Sequence, residues 1–315
     1  MDFGAKFEPI GNRILHGGGQ DDQAFANYVQ VMDEVPAVSI QYVSPHHQFF
    51  NFIAAYQSEL NMYKPYCVLP QLGMHMNEDE NPDKTYYEQI ANGSYDKKLL
   101  RYLKAVSSLD VPIYLRIGLE FNGQWNGYTD PEIYVRAFRH VVDMIRENGM
   151  DHIAAVWCMN PGAKQKDYML YYPGDDYVDW WAVDIFGASS MWEDVTEQFL
   201  ADAEAHRKPV MLTECCPYSF NTQDPGILDG WMRPFFRFIQ EHPVIKGMCY
   251  INWNWQEHGE KAWQHWGDSR IEAAASEVLT YYQEQMRQEV WLHAMTEEEV
   301  RTCLYGAQDL SVWEQ

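Results

Sequence analysis

Eight short apolar runs, each bounded by turn residues and separated by helical stretches, limit most strongly what this chain can fold into. They are "RILHGGG" (13–19), "AVSIQYV" (37–43), "YCVLPQLGM" (66–74), "PIYLRIGLE" (112–120), "IAAVWCMNP" (153–161), "DWWAVDIFG" (179–187), "PVMLTECCP" (209–217) and "IKGMCYINWNW" (245–255). Segments this continuously apolar suit strands buried on both faces, as in a parallel sheet covered by helices. Eight such units favour a closed (β/α)₈ barrel over an open doubly wound sheet, and 315 residues are enough for one. The clearest helix is "DPEIYVRAFRHVVDMIRENGM": Asp130 caps it and Pro131 opens its first turn. Tyr134, Phe138, Val141 and Ile145 share one face of it, and Gly149 supplies its stop. No Gly, Ser or Pro stretch reads as an interdomain linker, so residues 1–290 are expected to form one barrel. Residues 291–315 are expected to add a helix packed outside it, because Thr296 and Glu299 have the spacing of a capping box.

Charge narrows the partners. Lys and Arg number 23 against 46 Asp and Glu, with no long basic cluster, which argues against nucleic acid and against an anionic membrane surface. No apolar run is long enough to span a bilayer, and "MDFGAKFEPIGNR" lacks the apolar core of a secretory signal. The expectation is a cytoplasmic protein as written, or a secreted one if a leader has been removed. Cys67, Cys158, Cys215, Cys216 and Cys249 lie in or beside the apolar runs, where a reduced thiol packs as a small hydrophobe. Aromatic residues make up 15% of the chain, including 12 Trp and 21 Tyr. Such rings either pack the core or stack on the apolar faces of sugar rings.

Barrels of this type build their active sites at the C-terminal ends of the strands. Glu120 ends the fourth run and Glu214 lies near the end of the seventh, so both can reach one mouth. Two carboxyl groups across a sugar ring can divide glycoside cleavage, one donating a proton to the leaving oxygen and the other attacking the anomeric carbon. A retaining pair is expected to stand about 5–5.5 Å apart. Arg116, four residues before Glu120, falls on the same strand face, where it either orients a carboxylate or forms a buried structural ion pair. Asn122 and Gln124 are candidate binders of sugar hydroxyls, although Asn-Gly at 122–123 equally suits a turn. Trp253 and Trp255 share a face with Cys249 and Ile251 and are candidate sugar platforms, with the inward face left open by the periodicity. The "HGGGQ" segment would let backbone approach a ligand, with His16 and Gln20 as hydroxyl binders.

The segment "LRIGLEFNGQWNGY" resembles the acid/base motif of glycoside hydrolase family 26. "YVRAFRHVVDMIRENGMDHIAAVWCMNP", "YYPGDDYVDWWAVDIF" and "KPVMLTE" are similar to that family from its fourth helix through its seventh strand. The similarity covers roughly residues 100–220. It implies a retaining (β/α)₈ glycosidase, with Glu120 as acid/base and Glu214 as nucleophile. It also implies that Arg116, Asn122, Trp125 and Asp184 line or support the site. Leu119 stands where many members, the β-mannanases among them, have His, and Phe186 stands where a Tyr commonly bonds the nucleophile. Both departures bear on β-mannanase specificity, and neither removes a carboxylate.

The expected activity is therefore cleavage of a β-linked oligo- or polysaccharide, β-mannan being the first candidate, by chemistry that requires no metal or organic cofactor. Two rival readings stand beside it. One is a carbohydrate-binding barrel without turnover. The other is a metal-dependent barrel hydrolase using His16, His46, His47 and His75, although no His-x-His strand motif and no His-Glu-x-x-His helix occurs.

Overall fold

In the computed structural model each apolar run forms a strand. These are β1 (Ile14–Gly19), β2 (Val38–Tyr42), β3 (Leu69–Met74), β4 (Ile113–Ile117), β5 (Ile153–Met159), β6 (Trp180–Val183), β7 (Val210–Cys215) and β8 (Ile245–Ile251). Each is hydrogen-bonded in parallel to the next, and β8 returns to β1 with Leu15 opposite Gly247 and Gly19 opposite Ile251. The sheet thus closes into a (β/α)₈ barrel. The structure describes residues 1–78, 81–164, 167–258, 263–308 and 310, so the tail of the expected C-terminal extension lies outside the described residues.

Close contacts across the β1–β8 seam fix which faces point inward. A Cβ on Gly17 would stand 2.7 Å from the Cys249 sulfur and 3.0 Å from the Val38 Cβ, so Gly17, Val38 and Cys249 face the barrel interior. Alternation then turns His16 and Gly18 outward. A Cβ on Gly18 would meet the Tyr28 ring at 2.7 Å, which leaves only glycine room between β1 and the helix Asp22–Val31. The "HGGG" glycines therefore serve strand and helix packing, not the approach of a ligand. The end opposite the mouth is closed by the N-terminal segment: Tyr114 donates from its hydroxyl to the Phe7 carbonyl and Trp180 from its indole to the Lys6 carbonyl.

The helix Pro131–Glu147 starts where expected, with the Asp130 carboxylate accepting from the Ile133 N–H at 3.1 Å. Tyr134, Phe138, Val141 and Ile145 are buried along its inner face. Among the described residues the fifth unit has the 3₁₀ turn Tyr168–Tyr171 in place of a longer helix. A short ribbon pairs Asn77–Glu78 with Asn81–Thr85, and nothing in the apolar periodicity marks it. The C-terminal segment does more than add a helix. Trp291–Leu292 extends the sheet beside β1 and Met295–Thr296 pairs with Tyr66–Cys67 before the helix Glu297–Cys303 begins in a complete capping box. All six cysteines are unpaired.

The outward face of β2 carries a polar layer. Gln41 donates to the Asp22 carboxylate at 2.6 Å, and Glu59 of the helix Phe49–Leu60 is buried nearby. Burial, and then the Asp22 charge, raise the Glu59 carboxyl to about 8. A raised folded-state value means that its stability contribution is complete below the unfolded carboxyl range and is lost as pH climbs through about 8. Thermal melts of Glu59→Gln are expected to fall less steeply between neutral pH and pH ~9 than those of the native chain. Parallel curves would show that Glu59 is already ionised at neutrality.

Candidate active site

The Glu120 end of the site is built on a chain reversal. Strand β4 stops at Ile117, and Gly118 and Glu120 then adopt left-handed conformations, with φ of 57° and 46°. For a glutamate this backbone is costly and must be held by its surroundings. Three anchors hold it. Tyr134 reaches from the following helix to the carbonyls of Ile117 and Gly118, both at 3.1 Å. Asn126 donates its amide to the carbonyls of Leu119 and Glu120. Phe121 stacks on Trp157 with ring centroids 4.5 Å apart. The strand periodicity that paired Arg116 with Glu120 therefore does not extend to Glu120. The reversal aims it instead.

Once aimed, the Glu120 carboxylate accepts from the Trp125 indole at 2.7 Å and from the Asn160 side chain at 2.5 Å. Asn160 is itself set by Asn122 in a reciprocal pair: the Asn160 N–H donates to the Asn122 side chain, which donates back to the Asn160 carbonyl. Asn122 thus joins the loops after β4 and β5, bonding Asn160 in both directions. Trp125 can lie over Glu120 because residue 123 is glycine. A Cβ there would stand 2.4 Å from the indole. Gly123→Ala is expected to displace Trp125 and lower kcat/KM roughly 10- to 100-fold, the cost of misplacing a reacting group by a fraction of an ångström to an ångström. Unchanged kinetics in a variant of native thermal stability would show that Trp125 does not serve Glu120.

The opposite end is ionic. Arg116, fully buried, bridges two carboxylates: its Nη1 donates to Asp184 at 3.1 Å and its Nη2 to Glu214. Asp184 also accepts from the Thr213 hydroxyl at 2.6 Å and from the Cys158 thiol at 3.2 Å. A register shift between Leu212 and Cys215 against β8 makes this possible, because an extra residue in β7 lets Thr213 and Glu214 both engage the interior network. Burial and then the Glu214 charge raise the Asp184 carboxyl to about 7, against the pull of Arg116. Burial opposes the charge on Arg116, but Glu214 and then Asp184 raise its pKa well above the ordinary value, so it stays cationic. Arg116 is therefore an ion-pair residue of Glu214 and Asp184, placed beneath the carboxylate and not beside the sugar.

Around the mouth, Phe186 packs edge-on to Trp266 at 4.7 Å, and Trp255 meets the same ring at 5.1 Å. Tyr218 completes this aromatic wall at 5.2 Å from Trp266. Trp253 is partly exposed just beyond β8. Gln20 lies at the end of β1, where its side-chain oxygen Oε1 accepts from the Tyr42 hydroxyl at 3.3 Å. His16 does not reach the mouth. It is fully buried on the outer side of β1, bonded to Tyr28 at 2.8 Å and to His293 at 3.0 Å, which corrects its expected role as a sugar ligand. Among the described residues no three His, Cys, Asp or Glu side chains gather as a metal-binding group. Asn160, Asn126, Thr213 and Tyr42 were not singled out by the sequence. Asn160 follows a strand and reads as a turn former, and Tyr42 reads as core.

With the site described, comparison with known proteins places the chain. The model of glycosyl hydrolase family 26 matches residues 33–226. The chain belongs to this family. A β-1,3-xylanase from Vibrio sp. is 29% identical over 211 residues, covering 59% of this chain and 46% of the xylanase. Endoglucanase H of Acetivibrio thermocellus is 29% identical over 167 residues, covering 49% of this chain and 18% of that protein. The chain thus spans about half the length of the xylanases it matches. In fold it is similar to a family 26 β-mannanase from Bacteroides ovatus, with a TM-score of 0.63 at 16% identity over 90% of each chain. It is also similar to GH26C from a Muricauda species, with a TM-score of 0.66 at 15% identity over 99% of this chain and 90% of that one. The family match includes both Glu120 and Glu214.

Proposed function

We propose that this family 26 barrel is a retaining β-glycoside hydrolase. Glu214 attacks the anomeric carbon while Glu120 passes a proton to the departing oxygen, and a glycosyl-enzyme ester forms. Glu120 then takes a proton from the water that releases the sugar from Glu214. The observation that carries this reading is the unequal treatment of the two carboxylates. Glu214 sits on a buried guanidinium, as suits an anionic nucleophile, whereas Glu120 is oriented by an indole and an amide, which leave its proton free to move. The reaction calls for no metal or organic cofactor.

The substrate class that fits is a β-linked oligo- or polysaccharide, with the aromatic wall of Phe186, Tyr218, Trp255 and Trp266 beside the mouth to stack on sugar rings. β-Mannan and β-1,3-xylan are the two leading candidates. The fold neighbours favour the first, and the curated relatives and the Leu119 and Phe186 departures favour the second. The test is a panel of soluble β-linked manno-, xylo- and gluco-oligosaccharides, with products read by mass spectrometry and the first-formed anomer read by NMR. Cleavage releasing the β anomer first supports retention, and the α anomer first rejects it. Binding without cleavage would move the reading to a carbohydrate-binding barrel.

A further inference from the structure

Position 186, where the resemblance leads one to expect a hydroxyl facing the nucleophile, holds a phenylalanine, yet another hydroxyl stands near Glu214 on the far side of the barrel. Tyr42 is the last residue of β2, on the inward parity of Val38 and Ile40, and is partly exposed to the mouth. Its ring lies over the Arg116 guanidinium at 5.6 Å, the same guanidinium whose Nη2 holds Glu214. Room for that ring exists only because its β3 neighbour in register is Gly73. A Cβ on Gly73 would come within 2.7 Å of the Tyr42 ring and 3.3 Å of Arg116 Nη2. The ring is thus wedged between strand and guanidinium, with its hydroxyl near Glu214 and donating to the Gln20 side-chain oxygen Oε1 at 3.3 Å.

We propose that Tyr42 is the residue that positions the nucleophile, its phenolic O–H steering Glu214 toward the anomeric carbon and alternating between that carboxylate and Gln20. A phenol has one proton to give, and two acceptors stand within its reach. Burial and the Glu214 charge keep the phenol protonated well beyond the ordinary tyrosine range, so the donor persists wherever the enzyme works. While Glu214 is an anion it is the stronger acceptor, and the long 3.3 Å bond to Gln20 leaves the O–H able to turn to it. Once Glu214 becomes an ester its acceptor strength drops and the O–H turns to Gln20, so the bond constrains the attacking carboxylate without having to break for the ester to form.

This inference rests on Glu214 being the nucleophile, and the test separates the two claims. Tyr42→Phe removes the hydroxyl alone and keeps the ring on Gly73 and Arg116. On the oligosaccharide that the native enzyme cleaves, kcat is expected to fall about 10- to 100-fold with KM and Tm nearly unchanged, the size of one lost hydrogen bond to a charged group. The decisive readout is a dinitrophenyl β-glycoside of the same sugar, whose leaving group needs no proton. There the Glu120→Ala defect in glycosyl-enzyme formation shrinks, whereas the Tyr42→Phe defect persists, because attack by Glu214 is still required. A native rate in Tyr42→Phe, a loss confined to KM or Tm, or a defect that vanishes with the activated leaving group each overturns the positioning role. An active Glu214→Ala enzyme would instead overturn the functional reading on which it rests.

Discussion

Glu214→Ala is expected to lower turnover by about 10⁴-fold or more, and added azide is expected to restore part of it with the product anomer inverted. The proposed mechanism requires that stereochemistry. Removing the nucleophile opens a small space beneath the anomeric carbon, above Arg116, and an anion entering there attacks the intact substrate from the face Glu214 used. Glu120 still protonates the leaving group, so one displacement occurs and an α-glycosyl azide forms from a β-glycoside. Glu120→Ala should behave in the opposite sense. With an activated leaving group the glycosyl-enzyme on Glu214 still forms, azide attacks it from the other face, and two displacements give the β-glycosyl azide. NMR of the two azide products checks both assignments at once. If the anomers came out exchanged, Glu120 and Glu214 would have to exchange roles. If neither variant lost activity, the catalytic groups would lie elsewhere.

The barrel was legible because its strands are buried on both faces. Runs such as "IAAVWCM" and "PVMLTEC" are apolar at almost every step and need only be counted. The helix at Pro131–Glu147 was equally legible, since cap, first-turn proline and apolar stripe all agree. The site was harder to read, for three physical reasons. Strand parity ends where the backbone leaves the strand, so the path from Arg116 to Glu120 passes two left-handed residues that period-two counting does not register. The extra residue in β7 breaks the alternation between Thr213 and Glu214, and a bulge leaves no mark in composition. His16 was misplaced because parity gives two faces without saying which is inside. That depended on the contact between Gly17 and Cys249, from strands more than 200 residues apart. Asn160 shows the same limit: an asparagine before proline reads as a turn, and only the folded loop brings its amide to Glu120.

Replacing Arg116 with Met should be among the most damaging single changes in the chain, and its damage should be partly reversed by a second substitution. Met fills much of the guanidinium's space but leaves Asp184, fully buried, and Glu214, nearly so, as adjacent carboxylates with no cation between them. Breaking a buried pair in this way costs about 3–5 kcal/mol, because the stranded charges lose their compensation and not merely a contact. The Asp184 carboxyl, already raised to about 7 by burial and by Glu214, loses the one cation opposing that rise. The deficit should therefore be smallest in acid, where the Asp184 carboxyl is protonated, and should grow as pH rises through neutrality. Asp184→Asn added to Arg116→Met removes one of the two charges and keeps one acceptor oxygen, which can still take the Thr213 hydroxyl. The double variant should then melt above the single one at neutral pH, a coupling of the kind expected within one buried network. Activity should stay low in both, since neither restores the cation under Glu214. Thermal melts of native, single and double variants between pH 5 and 8 decide the matter. A double variant no more stable than Arg116→Met at any pH would mean that Arg116 stabilises the barrel by filling space, and that the charge shared with Asp184 and Glu214 contributes little.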